Sequence, residues 1–309
     1  MTRAESNSHE ERTADMYVIT GATGKVGGGI AAKLLKDGKQ VKALARSADK
    51  LAALARQGAQ IAAGDSADAV FLARNFSGAE CVFLMVPPDL ASPDIQAHYD
   101  RFGDALAKGL RESGVKSAVV LSSVGADLPK GNGPVAGLHR LEQKLNAISG
   151  VDFLILRPCY FMENHYGSIG MFKHLGMNVG ALKGDLAFPQ IAARDISERA
   201  FQRMRKKDWK GREIVDLLGP RDISMEETTA VLGAAVGKPD LKYAACSYED
   251  AVKGMMGAGI SQSVAESFAE MNKGFNEKTI PIPERAPANT TPTTLAEFAR
   301  DFAAVYQAA

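Results

Sequence analysis

The chain has 309 residues, of which 46% are hydrophobic, enough for a large core organised as one big domain or as a domain with a smaller lobe. Charged residues make up 24% and the formal net charge is +1, so nothing calls for nucleic acid or an acidic membrane surface as partner. No apolar run approaches the roughly 20 residues that span a bilayer; the longest, Cys81 to Val86, has the length of a buried strand.

Residues 1–15 are polar, lack the apolar segment of a secretory signal, and are expected to form a disordered tail. From Met16 to Leu156, strand-like apolar runs alternate with helical patterns. The expected strands are Tyr17–Thr20, Gln40–Ala45, Gln60–Ala63, Cys81–Met85, Ser117–Ser122 and Phe153–Leu156. Several are continuously apolar, as strands covered on both faces must be. Between them lie the helical stretches Lys25–Asp37, Asp49–Gln57, Asp68–Asn75, Pro93–Ser113 and Pro134–Ser149. This alternation implies right-handed βαβ crossovers and an α/β fold of the Rossmann type, a doubly wound parallel sheet.

Beyond Pro158 the pattern loosens. Helices are expected over Asp195–Met204, Met225–Val236, Tyr248–Met256, Ser261–Asn272 and Thr294–Tyr306, with strand segments at Glu213–Leu217 and Leu241–Ala244. Pro281 to Pro292, with four prolines, reads as an extended connector. The division expected is therefore a tail over 1–15, a nucleotide-binding Rossmann domain over 16–158 and a smaller α/β substrate-binding lobe over 159–309. Its boundary is approximate and leaves room for strands to interleave. Three cysteines without a C-x-x-C suit a reducing, cytoplasmic setting. Five histidines show no metal-ligand spacing, and no metal is expected.

The first expected strand leads into Gly21-Ala22-Thr23-Gly24-Lys25-Val26-Gly27 and then a helix. In that order the first glycine permits a tight turn, the second admits a pyrophosphate to the backbone, and the third lets the helix pack close to the sheet. The helix N-terminus then faces the anion. Gly21, Thr23, Gly24, Lys25, Val26 and Gly27 are thus candidate dinucleotide contacts. At the end of the second strand, where an NAD site carries Asp or Glu, stands Arg46, 19 residues after Gly27, and no carboxylate lies between Gly38 and Ala48. An arginine forks onto a 2′-phosphate that a carboxylate would repel. With Ser47 and Lys50 in support, NADP(H) is the expected cofactor and NAD(H) the weaker alternative.

Other strand ends supply further candidates. Asp65 follows the third strand, where it serves either the adenine or the N-cap of the helix over Asp68–Asn75; the residues leave both open. Val86-Pro87-Pro88 presents rigid backbone to the ribose or nicotinamide. Ser122 or Ser123 offers a hydroxyl to the nicotinamide. Arg157-Pro158-Cys159-Tyr160 closes the sixth strand, with Pro158 at the cofactor and Tyr160 and Phe161 as a flat wall or simple core. His139 sits at the margin of the stripe made by Leu138, Leu141 and Leu145, facing either solvent or the crevice.

Taken together, these motifs resemble the NmrA-like family of atypical short-chain dehydrogenases, particularly its NADPH:quinone oxidoreductase branch. The resemblance runs from Tyr17 to Tyr306. It rests on the glycine motif, Ala45-Arg46-Ser47 with Lys50, Leu121-Ser122-Ser123, His139 with Gln143-Lys144, and Leu156-Arg157-Pro158 through Tyr160, Phe161, Glu163 and Asn164. Asp195-Ile196, Leu218-Gly219-Pro220 and Thr291 to Leu295 are similar to later family landmarks. The resemblance implies a Rossmann domain with a C-terminal substrate lobe. It also implies either reduction of quinones and similar acceptors or nucleotide sensing with little turnover.

One departure stands out: no tyrosine has a lysine four residues later, so the dehydrogenase Tyr-x-x-x-Lys pair is missing. The corresponding helix offers His139 and Lys144 instead. Quinone reduction demands less acid catalysis, because hydride adds to an activated ring and water can protonate the product. The expected activity is NADPH-dependent reduction of a quinone or similar planar acceptor. His139, Lys144 or Tyr160 would orient or protonate the acceptor, and Tyr160, Phe161 and Asn164 would line its site. The alternative is an NADP(H)-sensing regulator, whose partner would be another protein or a second copy.

Overall fold

Residues 16–309 are described by the computed structural model; the expected tail over 1–15 lies outside them. In the first half the chain runs β1 (Met16–Ile19), α1 (Lys25–Lys36), β2 (Gln40–Ala45), α2 (Ala52–Arg56), β3 (Gln60–Ala63), α3 (Ala69–Phe76) and β4 (Cys81–Leu84). It continues through α4 (Ile95–Ser113), β5 (Ser117–Leu121), α5 (Val135–Asn146) and β6 (Asp152–Pro158). Every strand expected here forms, within two residues of its expected ends. The stretch read as a single helix over Asp49–Gln57 is instead a 3₁₀ turn, Asp49–Leu51, followed by α2.

After β6 come β7 (Tyr160–Phe161), a 3₁₀ segment (Met162–Ser168), α6 (Ile169–His174), β8 (Asn178–Gly180), β9 (Phe188–Ile191) and α7 (Ala193–Lys206). Then follow β10 (Arg212–Leu217), β11 (Asp222–Ile223), α8 (Met225–Ala235), β12 (Tyr243–Ala245), α9 (Tyr248–Gly257), α10 (Gln262–Asn276) and α11 (Leu295–Ala308).

Seven strands make one parallel sheet in the order β10-β6-β5-β4-β1-β2-β3. Alternate side chains feed two cores. Tyr17, Ile19, Val119, Leu154 and Leu156 pack on the α1 and α7 side. Val18, Val120, Phe153 and Ile155 pack on the side of α3, α4 and α5. A strand with no polar face needs this two-sided cover. The order reverses between β1 and β4, which places the ligand crevice at their carboxyl ends.

A cut at residue 158 does not separate two units. β10 pairs with β6 from Arg212↔Phe153 to Leu217↔Pro158, covering an edge that would otherwise be open. Helix α7 lies along α1: Gly29 leaves room there for Ser197, whose hydroxyl donates to the Val26 carbonyl at 3.1 Å. The lobe proper holds two small sheets, β11-β9-β7 and β12-β8. The connector Pro281–Pro292, expected to be extended, is interrupted by a turn at 287–289, where the Asn289 and Thr290 N–H groups donate to the Ala286 carbonyl, and it meets the body at the Leu218↔Thr290 bridge. The buried carboxylate of Asp195 accepts from the Thr293 N–H at 2.9 Å and its hydroxyl at 2.7 Å, pinning α11's entry to α7. Among the described residues no helix is long and apolar enough to cross a membrane, and no group of three metal-ligating side chains gathers.

Candidate active site

The turn after β1 is built by glycines, two of which leave no free room for a side chain. Gly21 has φ +61°, and a Cβ there would stand 2.1 Å from the Met85 sulfur. A Cβ on Gly27 would stand 2.5 Å from the Gly21 carbonyl oxygen and 2.9 Å from that of Thr20. Gly24 caps α1 with no side-chain hydrogen bond, so the first-turn N–H groups of Lys25, Val26 and Gly27 have no capping side chain. Thr23, Gly24 and Lys25 are exposed. Chain geometry therefore fits a dinucleotide pyrophosphate.

Thr20, which the sequence marked only as strand, links this turn to the next strand end. Its buried hydroxyl donates to the Phe83 carbonyl at 3.0 Å and accepts from the Met85 N–H at 3.1 Å. Beyond Met85, the Pro87 carbonyl accepts from His98 Nε2–H at 2.8 Å, fixing the Val86-Pro87 backbone against α4. That carbonyl has no proton to give, so the nitrogen must carry it.

Arg46 is exposed at the end of β2, and its guanidinium makes no hydrogen bond or ion pair with the described residues. Lys50 stands exposed nearby in the 3₁₀ turn. Asp65 is not a helix cap. Its carboxylate accepts from the Ala67 N–H at 2.9 Å, while Asp68 caps α3 through the Val70 and Phe71 N–H groups. Two residues separate the two aspartates, and Asp68 has the extended backbone that directly precedes the first helical residue.

Between the strand ends and the lobe lies a cavity of about 330 Å³. From the large sheet come Met85, Val86, Ser122, Ser123 and Cys159; from the lobe come Tyr160, Phe161, Asn164, Phe188 and Phe275. No charged side chain lines it. Tyr160 packs edge-on to Phe188 with ring centres 5.4 Å apart, and Phe188 stacks with Phe275 at 6.0 Å. Burial pushes the Tyr160 phenol up to about 12, with the Asn164 amide beside it acting in the opposite direction. Beneath it His165 donates to Gln190 Oε1 at 2.9 Å, and burial holds its imidazole down at about 4. Cys159 is buried and pushed up to about 12, an inert thiol rather than a nucleophile.

Two catalytic candidates are displaced. His139 gives its Nδ1–H to the Ala126 carbonyl at 2.9 Å and is absent from the cavity wall, to which α5 contributes Val135 and Leu138. One residue along a helix turns the side chain about 100° away. Lys144 lies on the α4 side, its ammonium 3.2 Å from the Asp100 carboxylate and 2.7 Å from that of Asp104. Pro158 also sits outside the wall; its carbonyl accepts from the Val124 N–H at 3.0 Å and orders the Ser122–Val124 loop.

Unforeseen from the sequence is a buried pair behind Ser122. Glu142 accepts from the Ser122 hydroxyl at 2.5 Å and meets Arg157 through Nε at 3.0 Å and Nη2 at 2.6 Å. The charged Glu142 at a stripe position of α5 was the available signal. Glu163 likewise serves structure: both oxygens accept from the Ala193 N–H at 3.0 Å, capping α7 from another element.

The sequence pattern of the NAD(P)H-binding family matches residues 21–179. Over 305 residues the chain is 30% identical to an NAD(P)H azoreductase of Xenophilus azovorans, covering 95% of this chain and all of that one. It is 26% identical over 265 residues to quinone oxidoreductase 2 of Escherichia coli, covering 85% and 88% of the two chains. The crystal structure of a Citrobacter triphenylmethane reductase complexed with NADP(H) superposes with a TM-score of 0.77, at 20% identity, over 94% of this chain and 100% of that one. A glycine turn that admits a dinucleotide, a doubly wound sheet and relatives matched over most of their length place the chain in the NAD(P)H-binding family, as an NAD(P)H-dependent oxidoreductase.

Proposed function

We propose that the chain is an NADPH-dependent reductase of flat, conjugated acceptors, quinones above all. The observation that carries this reading is the uncharged cavity at the crevice, with aromatic walls and hydroxyl and amide groups as its polar lining. Quinones, azo compounds and triphenylmethane dyes, which the relatives' names specify, are conjugated bodies that accept a hydride without a strong acid. The bound reduced nicotinamide supplies that hydride.

The chain's own residues bind, orient and exclude water. The first turn of α1 receives the pyrophosphate, with Gly21, Gly24 and Gly27 keeping it clear of side chains. Arg46, assisted by Lys50, grips the 2′-phosphate and sets NADPH above NADH. Val86 and Pro87, fixed by His98, flank the nicotinamide ribose. Ser123 and Ser122 border the ring, with Ser122 held by Glu142. Phe161, Phe188 and Phe275 sandwich the acceptor, and Tyr160 with Asn164 offers hydrogen-bond donors to its polar atom. Because the Tyr160 phenol sits at about 12, it orients the acceptor and leaves protonation of the product to water.

The test is NADPH oxidation followed by near-ultraviolet absorbance against a panel of quinones and azo dyes. Acceptor-dependent turnover that is far weaker with NADH is the expected result. Tight NADPH binding with no oxidation across the panel would overturn the reading and leave nucleotide sensing in its place.

A further inference from the structure

Tyr99 belongs to α4, yet it lines the cavity beside Val135 and Leu138 of α5. Its ring is seated by a glycine. A Cβ on Gly137 would stand 2.3 Å from Tyr99 Cγ and 2.4 Å from its Cβ, so the ring rests directly on the α5 backbone. On the other side, His98 meets it edge-on at 6.0 Å and is itself tied to Pro87. The ring is therefore held by the same elements that shape the nicotinamide end of the crevice.

The hydroxyl on this fixed ring has no hydrogen-bond partner among the described residues, and burial alone pushes it up to about 12. Both serine hydroxyls on the wall already donate elsewhere. Ser122 donates to Glu142, Ser123 donates to the Val124 carbonyl at 3.0 Å, and Tyr160 has the Asn164 amide beside it. Tyr99 is half-buried, and its unpaired hydroxyl keeps access to the cavity, where it is a donor that a ligand can meet.

We propose that the Tyr99 phenol donates a hydrogen bond to the bound acceptor at a polar atom other than the one Tyr160 meets. Tyr99 stands on the wall made by α4 and α5, Tyr160 on the wall made by the small sheet. The two hydroxyls then select flat apolar bodies with two separated hydrogen-bond-accepting atoms, the pattern of a para-quinone. This rests on the reductase reading. The acceptor gains a hydride and, from water, one proton, giving the hydroquinone; Tyr99 keeps its own proton throughout.

The test uses Tyr99→Phe in the full chain, loaded with NADP⁺, and titration calorimetry with 1,4-naphthoquinone and with naphthalene. The variant should bind naphthoquinone about tenfold more weakly, the worth of one buried neutral hydrogen bond. Naphthalene binding and NADPH affinity should stay as in the wild type. In turnover, KM for naphthoquinone should rise by a similar factor with kcat little changed. Equal naphthoquinone affinity in the two proteins overturns the proposal. So does an equal fall for both ligands, which would make Tyr99 a packing residue, and so does absence of naphthoquinone binding to the wild type. A Tyr99-dependent difference in binding without NADPH oxidation would sustain this inference and sink the reductase reading alone.

Discussion

Replacing Arg46 by Asp isolates the 2′-phosphate from the rest of the cofactor. The guanidinium is exposed and makes no hydrogen bond or ion pair with the described residues, so its removal leaves the fold with nothing to lose. On the ligand side, a charged hydrogen-bonded contact contributes about 1.5–3 kcal/mol. A carboxylate placed about 4 Å from a phosphate in a water-exposed position adds repulsion of about 1 kcal/mol per unit charge. Together these come to roughly 3–4 kcal/mol, a loss of roughly 300-fold in NADPH affinity. NADH lacks the phosphate, and its affinity should move less than about threefold by the same accounting. Calorimetric titration of both nucleotides, with thermal melting as a control on folding, gives the answer directly. The NADPH loss should also shrink as salt rises, because the contact is exposed. Equal losses for NADPH and NADH would refute the assignment and move the specificity residue elsewhere on the β2–α2 turn.

Further expectations concern the groups behind the site. Gly27→Ala should destabilise the fold by about 1–3 kcal/mol and weaken both nucleotides alike, since the new methyl meets backbone carbonyls that cannot turn aside; an unchanged melting temperature would show that α1 shifts freely. Glu142→Gln should cost about 3–5 kcal/mol in a urea melt by leaving Arg157 buried without its counter-charge. A loss under about 1 kcal/mol would mean that Asp216 or Asp127, whose charges also reach Arg157, take over. His165 titrates at about 4 in the fold against 6.5 for a solvated histidine, so the unfolded chain binds the proton first. Stability from this group is complete above about 6.5 and is lost as pH falls towards about 4, by roughly 3 kcal/mol in all. Urea midpoints for the wild type and His165→Gln between pH 7.5 and 4.5 check this, and parallel curves would sink it.

Much of the cofactor side was legible because it is local chemistry. A strand, a glycine turn and a helix follow one another in the chain, and each residue's task is set by backbone sterics within that span, as Gly21 and Gly27 show. The position of Arg46 just after β2 was legible because a strand end fixes its place relative to the same turn, while its grip on the 2′-phosphate stays the proposal that the Arg46→Asp titration tests. The continuous apolar strands dictated a sheet covered on both faces, and it formed with the expected segments.

What the sequence by itself did not determine depends on which way a side chain turns and on what arrives from a distant part of the chain. His139 and Leu138 are neighbours in sequence, yet one turns to the Ala126 carbonyl and the other to the cavity. Lys144 looked chemical until α4 brought Asp100 and Asp104 against it. Glu163 and Asp195 are engaged by groups 30 and 98 residues away. β10 and α7 leave the second half to complete the first half's sheet and helix layer, because an open strand edge and a bare helix face must be covered by whatever the chain can deliver. Local sterics are written in consecutive residues. Burial, pairing and the choice of facing side chain are set only when the elements pack.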